Sequence, residues 1–271
     1  MTKRTLPLFV CILCLCVGCD KSRAELEVEK LENTGPHQEY YLGRGVAATL
    51  LGQYRAMNSQ VANEYLNILG QSLAMYSTMP DTSGGYHFLL LESTEINAFA
   101  APGGLILITR GLVQCTTNED ELAAVLAHEI AHVQLRHGIE SLKAAHKADH
   151  KAGIVLTIVS APLGIAALPL GLVYEHGIKD MVKTMASNGY SREAELAADQ
   201  AALVILREAG FSEAALSSML QNMSTRLVAG SGFGKTHPPP ADRLSALGAS
   251  GKVPANPVRQ ARYQAALADV R

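Results

Sequence analysis

Residues 122–137, LAAVLAHEIAHVQLRH, contain the pattern on which the interpretation of this chain depends. Apolar residues and good helix formers surround His128 and His132, and we predict an α-helix. Four residues of α-helix turn by about 400°, which places the two imidazoles one turn apart on the same face. Neutral imidazoles at this spacing can bind one metal ion, and Zn²⁺ suits them. Glu129, adjacent to that face, can polarise a water molecule at the metal instead of binding the metal.

A catalytic metal site of this kind needs a third protein ligand and one open position. Glu195 lies on a later predicted helix, and Asp199 follows one turn further on the same face. We predict Glu195 as the third ligand and Asp199 as the acceptor of the free N–H group of a ligand histidine. His137 is the rival third ligand, but the three-histidine pattern requires Gly where Leu135 stands and His where Gly138 stands. His137 is therefore predicted beside the ligands or at the surface.

The segments around the HEIAH helix predict a small sheet and several further helices. Amphipathic periodicity predicts one or two helices between residues 43 and 77, and strand-like runs occupy 87–91, 96–100 and 105–109. Asn118 and Glu121 resemble a capping box that opens a helix predicted to run to about residue 147. Helices are also predicted at 191–208 and 212–227, with a short helical tail at the end. The pattern predicts one α+β domain, mostly helical.

The run Asn97, Ala98, Phe99 and Ala100 has two interpretations. As a sheet edge beside the metal, it can pair with an extended peptide substrate and present the scissile carbonyl to metal and water. As an inward-facing strand, it only contributes to the core. We predict the substrate-binding role.

Several motifs resemble the zinc metallopeptidase family that includes the CAAX prenyl proteases, HtpX and the periplasmic BepA-like enzymes. Besides HEIAH, they are Asn97-Ala98-Phe99-Ala100 with Pro102-Gly103-Gly104, Tyr190-Ser191-Arg192 before Glu195 and Asp199, and His237-Pro238 with Arg243. The resemblance covers roughly residues 45–248. It implies a zincin-like gluzincin endopeptidase with a small sheet beside the HExxH helix. One zinc ion is then bound by His128, His132 and Glu195, with Glu129 as general base and Asp199 behind the ligands.

The resemblance places His237 on a loop over the active site. Imidazole is a competent zinc ligand, so His237 can occupy the fourth position of the metal in a resting state and act as a gate. It can instead stabilise the oxyanion during the reaction, or the loop can be a plain surface loop. We expect His237 to approach the zinc in the resting protein, with the gate slightly preferred to the oxyanion role.

The beginning of the chain is typical of a bacterial export signal. A basic start and an apolar run precede a small-residue cleavage site and Cys19. This arrangement resembles a lipoprotein signal at 1–18 with the lipid on Cys19, followed by a polar tether at 19–42; an uncleaved helical anchor is the alternative. We predict a lipid-anchored protein on the periplasmic side of the cell envelope, with the choice of inner or outer membrane open.

Composition limits the remaining possibilities. The 271 residues carry a formal net charge of −2, so they lack the basic field of a nucleic-acid binder. The apolar segment 153–174 is predicted to be buried or to rest on lipid, because a single crossing would separate His132 from Glu195. Cys115 is predicted as an inert buried thiol. We predict the metallopeptidase domain at 43–250 and a C-terminal tail at 251–271.

The functional hypothesis is a zinc-dependent endopeptidase that cleaves misfolded or unassembled envelope proteins, with polypeptides as its partners and no nucleic acid. The alternative is a zinc-stabilised chaperone or assembly factor for envelope proteins with latent peptidase activity. Glu129 counts against a protein without catalysis, because metal binding alone does not need it. A scaffolding or inhibitory lipoprotein, the third possibility, predicts no stoichiometric zinc.

Overall fold

The computed structural model describes residues 34–151, 177–227, 232–248 and 251–270. The predicted signal at 1–18, the lipid site Cys19, the first part of the predicted tether and the apolar segment 153–174 lie outside these residues. Within the described ranges, no helix combines the length and the apolar character needed to cross a bilayer.

The described residues are mostly helical, with one small sheet, which confirms the predicted α+β class. In chain order the elements are α1 (Pro36–Leu51), α2 (Gln60–Ala74), β1 (His87–Leu91), β2 (Ala98–Ala101), β3 (Leu105–Thr109), α3 (Arg110–Val113), α4 (Glu119–Gln134), α5 (His137–Lys151), α6 (Arg192–Glu208), α7 (Ala214–Ser224), α8 (Phe233–Thr236), α9 (Pro240–Leu247) and α10 (Pro257–Ala266). Helical residues 177–183 lead into a π-helical turn, Thr184–Asn188.

The sheet has the order β1-β3-β2, with β3 in the centre. β1 runs parallel to β3, and β2 runs antiparallel to it with Phe99 opposite Leu107. Successive side chains of a strand point to opposite faces. One face lies in a core cluster that also contains residues of α2, α4, α6, α7 and α10, and the other lies in a second cluster with residues of α1 and α5. This order places β2 at a sheet edge, and α4 contacts it from one face.

Helix α4 is buried along nearly its whole length, from Glu119 to Val133. Asn118 is its N-cap and accepts a hydrogen bond from the backbone N–H of Glu121 at 2.9 Å. The Glu121 carboxylate accepts from the backbone N–H of Thr117 rather than from that of Asn118. Ala123, Ala124, Ala127 and Ala131 are fully buried, so small side chains allow the neighbouring elements to approach this helix closely.

The single helix predicted from 118 to about 147 is wrong, because the chain turns between α4 and α5. Arg136 has φ 55°, in the left-handed region that side chains other than glycine rarely adopt. Leu135 closes α4 with backbone bonds to Ala131 and Val133, and α5 starts at His137 in a new direction. Neither Gly nor Pro marks this break, and periodicity alone predicts a continuous helix.

The predicted tether and the predicted tail both contain helical residues that pack against the core. Helix α1 begins at Pro36, inside the predicted tether 19–42, and Leu42 is buried in the core. The helix lies against the turn after β2, where a Cβ on Gly43 would be 1.8 Å from the carbonyl oxygen of Pro102. At the other end, the predicted tail 251–271 forms α10, and Tyr263 and Val270 belong to the main core.

Candidate active site

The two histidines of HEIAH meet on one face of α4. The Nε2 atoms of His128 and His132 are 3.1 Å apart, and both side chains are about 1% exposed. The one-turn spacing on the helix brings them together, as expected. Two imidazole nitrogens at this distance in a buried site point to a shared ligand.

Glu195 approaches the same point from α6. Its Oε2 lies 3.5 Å from Nε2 of His128, and its Oε1 lies 3.5 Å from Nε2 of His132. Ser191 caps the start of α6 by accepting a hydrogen bond from the backbone N–H of Ala194, which places Glu195 in the first turn. Burial opposes ionisation of this carboxyl, but the imidazoles of His237 and His132 beside it hold its pKa well below the usual value.

This donor set fits a divalent metal ion. Zinc–nitrogen bonds of 2.0–2.1 Å in a tetrahedral site place neighbouring donor atoms about 3.3 to 3.4 Å apart, close to the 3.1 and 3.5 Å separations among His128, His132 and Glu195. Oε1 of Glu195 is buried and accepts no hydrogen bond from any described residue. A buried acceptor without a donor is costly unless a ligand satisfies it. These residues therefore can hold a metal.

Glu129 lies next to these ligands on α4 and is 2% exposed. Burial is the largest influence on its carboxyl and raises its pKa. The side chains that act on it electrostatically are those of His128, His237, Glu195 and Arg243, so it shares the electrostatic environment of the cluster. A carboxylate with a raised pKa is a better proton acceptor at neutral pH.

Asp199 lies on the side of His128 away from the other cluster residues. Its Oδ1 is 3.0 Å from Nδ1 of His128, which leaves Nε2 of that histidine free to face the cluster. Arg243, from α9, pairs with both carboxylate oxygens of Asp199 and donates to Oδ2 through Nε at 2.9 Å. Burial raises the pKa of the Asp199 carboxyl, but the guanidinium overcomes that effect and holds the pKa below its usual range.

His237 also belongs to the cluster. Its Nδ1 is 2.8 Å from Oε2 of Glu195, and one donor atom from each of His128, His132, Glu195 and His237 lies within 4.8 Å of the others. The ring stacks on Phe233, with centroids 3.8 Å apart and an interplanar angle of 14°. We name residues 232–237 the His237 segment.

The His237 segment also reaches the entry of β2. The backbone N–H of Phe233 donates to the carbonyl oxygen of Ile96 at 2.7 Å, and the Thr236 hydroxyl donates to Oδ1 of Asn97 at 3.4 Å. Gly232 lies so close to Ile96 that a Cβ there would be 2.6 Å from the Ile96 carbonyl oxygen. The segment thus lies between the start of the edge strand and the metal ligands.

The candidate substrate strand has part of its outer edge unpaired. The backbone N–H of Thr109 bonds to the carbonyl of Asn97, so Asn97 and Phe99 face β3 in the alternating antiparallel pattern. The backbone N–H and C=O groups of Ala98 and Ala100 then point away from β3, toward the outer edge of the sheet. The carbonyl of Ala98 and both backbone groups of Ala100 have no hydrogen-bond partner in the part of the chain that the structure describes.

The structure gives positions to residues whose roles the sequence does not reveal. Arg243 is 1% exposed and braces Asp199, although no spacing rule connects α9 with α6. Tyr190 stacks on His132 with centroids 4.6 Å apart, and its buried hydroxyl has no partner among the described residues. His137 lies outside the ligand cluster, with its Nδ1 3.0 Å from Nδ1 of His132.

Comparison with known proteins identifies the architecture around this site. Residues 60–250 match the family described as Peptidase family M48. The chain belongs to this family. The match contains every residue of the cluster, and it confirms the resemblance inferred from the motifs.

Several relatives of this M48 chain have names that describe them as proteases. The putative beta-barrel assembly-enhancing protease of Vibrio cholerae serotype O1 is 29% identical over 252 residues, which are 86% of this chain and 50% of that protein. The beta-barrel assembly-enhancing protease of Escherichia coli strain K12 is 29% identical over 216 residues, 77% of this chain and 42% of that protein. The mitochondrial metalloendopeptidase OMA1 of Bos taurus is 32% identical over 136 residues, 49% of this chain and 25% of that protein. The chain therefore spans half the length of these relatives or less.

Proposed function

We propose that this M48 chain is a zinc-dependent endopeptidase of the bacterial cell envelope. The observation that carries the proposal is the convergence of His128, His132 and Glu195 at 3.1 to 3.5 Å, with the buried carboxyl of Glu129 beside them. Two neutral imidazoles and one carboxylate are the ligands of the histidine–histidine–glutamate class of zinc peptidases. Family membership independently supports hydrolysis of peptide bonds.

In the proposed reaction, Glu129 moves the protons. Zinc, when bound, supplies a Lewis acid that polarises the scissile carbonyl and activates a water molecule. Glu129 accepts a proton from the water molecule as the water oxygen bonds to the carbonyl carbon. It then donates the proton to the leaving nitrogen as the C–N bond breaks. Burial, which raises the pKa of Glu129, makes its carboxylate a stronger base for the first transfer.

The outer edge of β2 is the proposed substrate platform. An extended peptide can add as a strand to the free carbonyl of Ala98 and the two backbone groups of Ala100. Asn97 supports this edge, because its side-chain oxygen accepts from the backbone N–H of Ala98 at 3.0 Å. Main-chain pairing does not depend on the side chains of the substrate, which suits a peptidase for unfolded polypeptides.

The His237 segment is the proposed gate. The backbone N–H of Phe233 donates to the Ile96 carbonyl at the start of the edge strand, and His237 pairs with the carboxylate of the proposed ligand Glu195. In this arrangement the chain itself fills space that a substrate needs. The geometry supports a resting state that opens when the segment withdraws from β2.

The location and the substrates rest on the sequence and on the relatives. We propose lipid attachment at Cys19 on the periplasmic side of a membrane. We propose misfolded or unassembled envelope proteins as substrates. The names of two relatives, which describe beta-barrel assembly-enhancing proteases, support this proposal. The alternative of a chaperone with latent peptidase activity is not favoured, because a buried general base beside the ligands serves hydrolysis rather than binding.

Replacement of Glu129 by Gln tests the proposed mechanism. The amide cannot accept the proton, so we expect hydrolysis of an unfolded protein substrate to fall by about 10²–10⁴-fold, with stoichiometric zinc retained. Glu208→Gln on the exposed side of α6 is the matched control and keeps full activity. Undiminished proteolysis by Glu129→Gln would refute the mechanism.

A further inference from the structure

His137 contacts a metal ligand from the side away from the metal. Its Nδ1 lies 3.0 Å from Nδ1 of His132, with the ring centroids 4.9 Å apart and the planes at 72°. His137 is buried, and its side chain is no part of the donor cluster among the described residues. The contact therefore joins the outer nitrogens of the two rings.

Hydrogen-bond chemistry assigns the direction of this contact. Nε2 of His132 faces His128 and Glu195, so binding of a metal there requires the lone pair at Nε2 and the proton at Nδ1. The Nδ1–H group of His132 then donates to Nδ1 of His137, which carries its own proton at Nε2. His137 thus does for His132 what Asp199 does for His128.

The break between α4 and α5 is what makes this contact possible. In a continuous helix, position 137 would be rotated by about 500° from position 132, which puts it roughly 140° around the helix from His132. The left-handed residue Arg136 instead redirects the chain so that His137 turns back under the ligand. The rare backbone conformation lies directly next to the functional contact.

Arg136 is held in this conformation by the first helix. Its guanidinium forms an ion pair with Glu39 on α1 and donates to the carbonyl oxygen of Thr34 at 2.8 Å. Glu39 is buried, and its side chain reaches Arg136 across the space between α1 and α5. The beginning of the domain is thereby connected to a metal ligand through two consecutive residues.

We propose that His137 is a positioning residue that fixes the tautomer and the orientation of His132, and that the Glu39–Arg136 ion pair holds His137 in place. This inference rests on the proposed metal site. A neutral histidine takes the place of the carboxylate or carbonyl group that more often receives the outer N–H of a metal-bound histidine.

Two substitutions of His137 separate a positioning role from a packing role. Asn carries its side-chain oxygen on Cγ, as His carries Nδ1, whereas the Gln oxygen is one bond further out. We expect His137→Asn to keep the zinc dissociation constant within a few-fold, and His137→Gln to raise it by about 10–100-fold. Chelator competition gives the dissociation constants, and the visible spectrum of the cobalt-substituted protein reports the ligand geometry. Circular dichroism checks that both metal-free variants are folded.

The outcomes separate this inference from the proposed function. Equal affinities in the wild type and both variants, or equal losses in both variants, overturn the role of His137. A wild-type chain that binds no zinc instead refutes the metal site itself. For the ion pair, Glu39→Gln should weaken zinc binding several-fold, while Glu64→Gln at an exposed position of α2 leaves it unchanged. Unaltered zinc affinity in Glu39→Gln overturns the part assigned to the ion pair.

Discussion

The two ends of helix α4 differ in how completely their buried charged and polar groups are hydrogen-bonded. At the N-terminal end, the carboxylates of Glu119, Asp120 and Glu121 are buried and accept hydrogen bonds from three other helices, α2, α7 and α10, and from the loop before α7. Their partners, at 2.6 to 3.0 Å, are Tyr65, Ser212, Ser218, Asn222, Arg259 and Arg262. Acidic groups in a first helical turn are also stabilised by the helix dipole. This end of the helix is closed to further ligands.

The other end of α4 is equally buried but incompletely paired. Among the described residues, Oε1 of Glu195, the Tyr190 hydroxyl and one terminal nitrogen of Arg243 are buried without hydrogen-bond partners. The pKa of Glu129 is raised by burial, and that of Glu195 is lowered by its histidine neighbours despite burial. Complete hydrogen bonding of buried polar groups is typical of a cluster that maintains the fold. Buried donors and acceptors without partners are typical of a ligand-binding cluster.

Replacement of Glu195 by Gln gives the largest expected difference between the two ends. The neutral amide is a poor metal ligand, and loss of zinc removes several kcal/mol of transition-state stabilisation. Activity should fall by about 10³-fold or more. Glu119→Gln, the matched change at the other end, should keep zinc and turnover. Elemental analysis and hydrolysis of an unfolded protein measure both variants.

The two glutamates could also respond alike. Stoichiometric zinc and normal turnover in Glu195→Gln would contradict the assignment of Glu195 as a ligand. Loss of zinc in a folded Glu119→Gln variant would show that the N-terminal cluster positions the ligands as well, and the contrast between the ends would fail.

The N-terminal cluster should instead show its importance in stability. Arg262 on α10 pairs with the fully buried Glu119, and Arg262→Met leaves that carboxylate with fewer donors. We expect a loss of about 1–3 kcal/mol in the free energy of unfolding, with turnover of the folded enzyme unchanged. Urea denaturation measures the loss.

Arg207→Met is the control for this experiment. Arg207 pairs with Glu213 on the surface, where both side chains are about half exposed, and such pairs contribute about 0–1 kcal/mol. Equal losses in Arg262→Met and Arg207→Met would mean that α10 is not a stabilising part of the domain. Its contact with the catalytic helix would then be incidental.

The same contrast explains which features can be predicted from the sequence. His128, His132, Glu195 and Asp199 lie at helical spacings, and local geometry carries them to one point once α4 and α6 pack together. The three strands were predicted for a similar reason, since short apolar runs and the turn beginning at Pro102 define them locally. These elements follow from periods of two and 3.6 residues.

Features that depend on distant pairing could not be predicted in this way. Arg136 turns left-handed without a glycine, and its ion-pair partner Glu39 lies on a helix about a hundred residues earlier in the chain. Arg243 braces Asp199 from a loop-linked helix, and nothing in its neighbourhood predicts the contact. The polar face that α10 presents to α4 similarly suggests a solvent-exposed tail until Glu119 is seen to be its partner.

The smallest expected effect concerns His237, which contacts the ligand cluster at the C-terminal end of α4. His237 donates to the Glu195 carboxylate, stacks on Phe233 and belongs to a segment bonded to Ile96. If this segment is a gate, His237→Ala removes the competing imidazole and loosens the cover of β2. We expect turnover of an unfolded protein to rise several-fold, with zinc content unchanged. Lys235→Ala, at an exposed position of the same segment, should have no effect.

The direction of the change decides between the roles of His237. Loss of a group that stabilises the oxyanion lowers turnover by about 10²–10³-fold while zinc is retained, whereas loss of a gate raises it. The observed pairing with Glu195 favours the gate, because an imidazole bonded to a ligand carboxylate is already engaged before substrate arrives. A fall in turnover would mean that His237 leaves Glu195 during the cycle and turns toward the substrate. An unchanged rate would mean that the contacts of the His237 segment only maintain the fold, as those at the N-terminal end of α4 do.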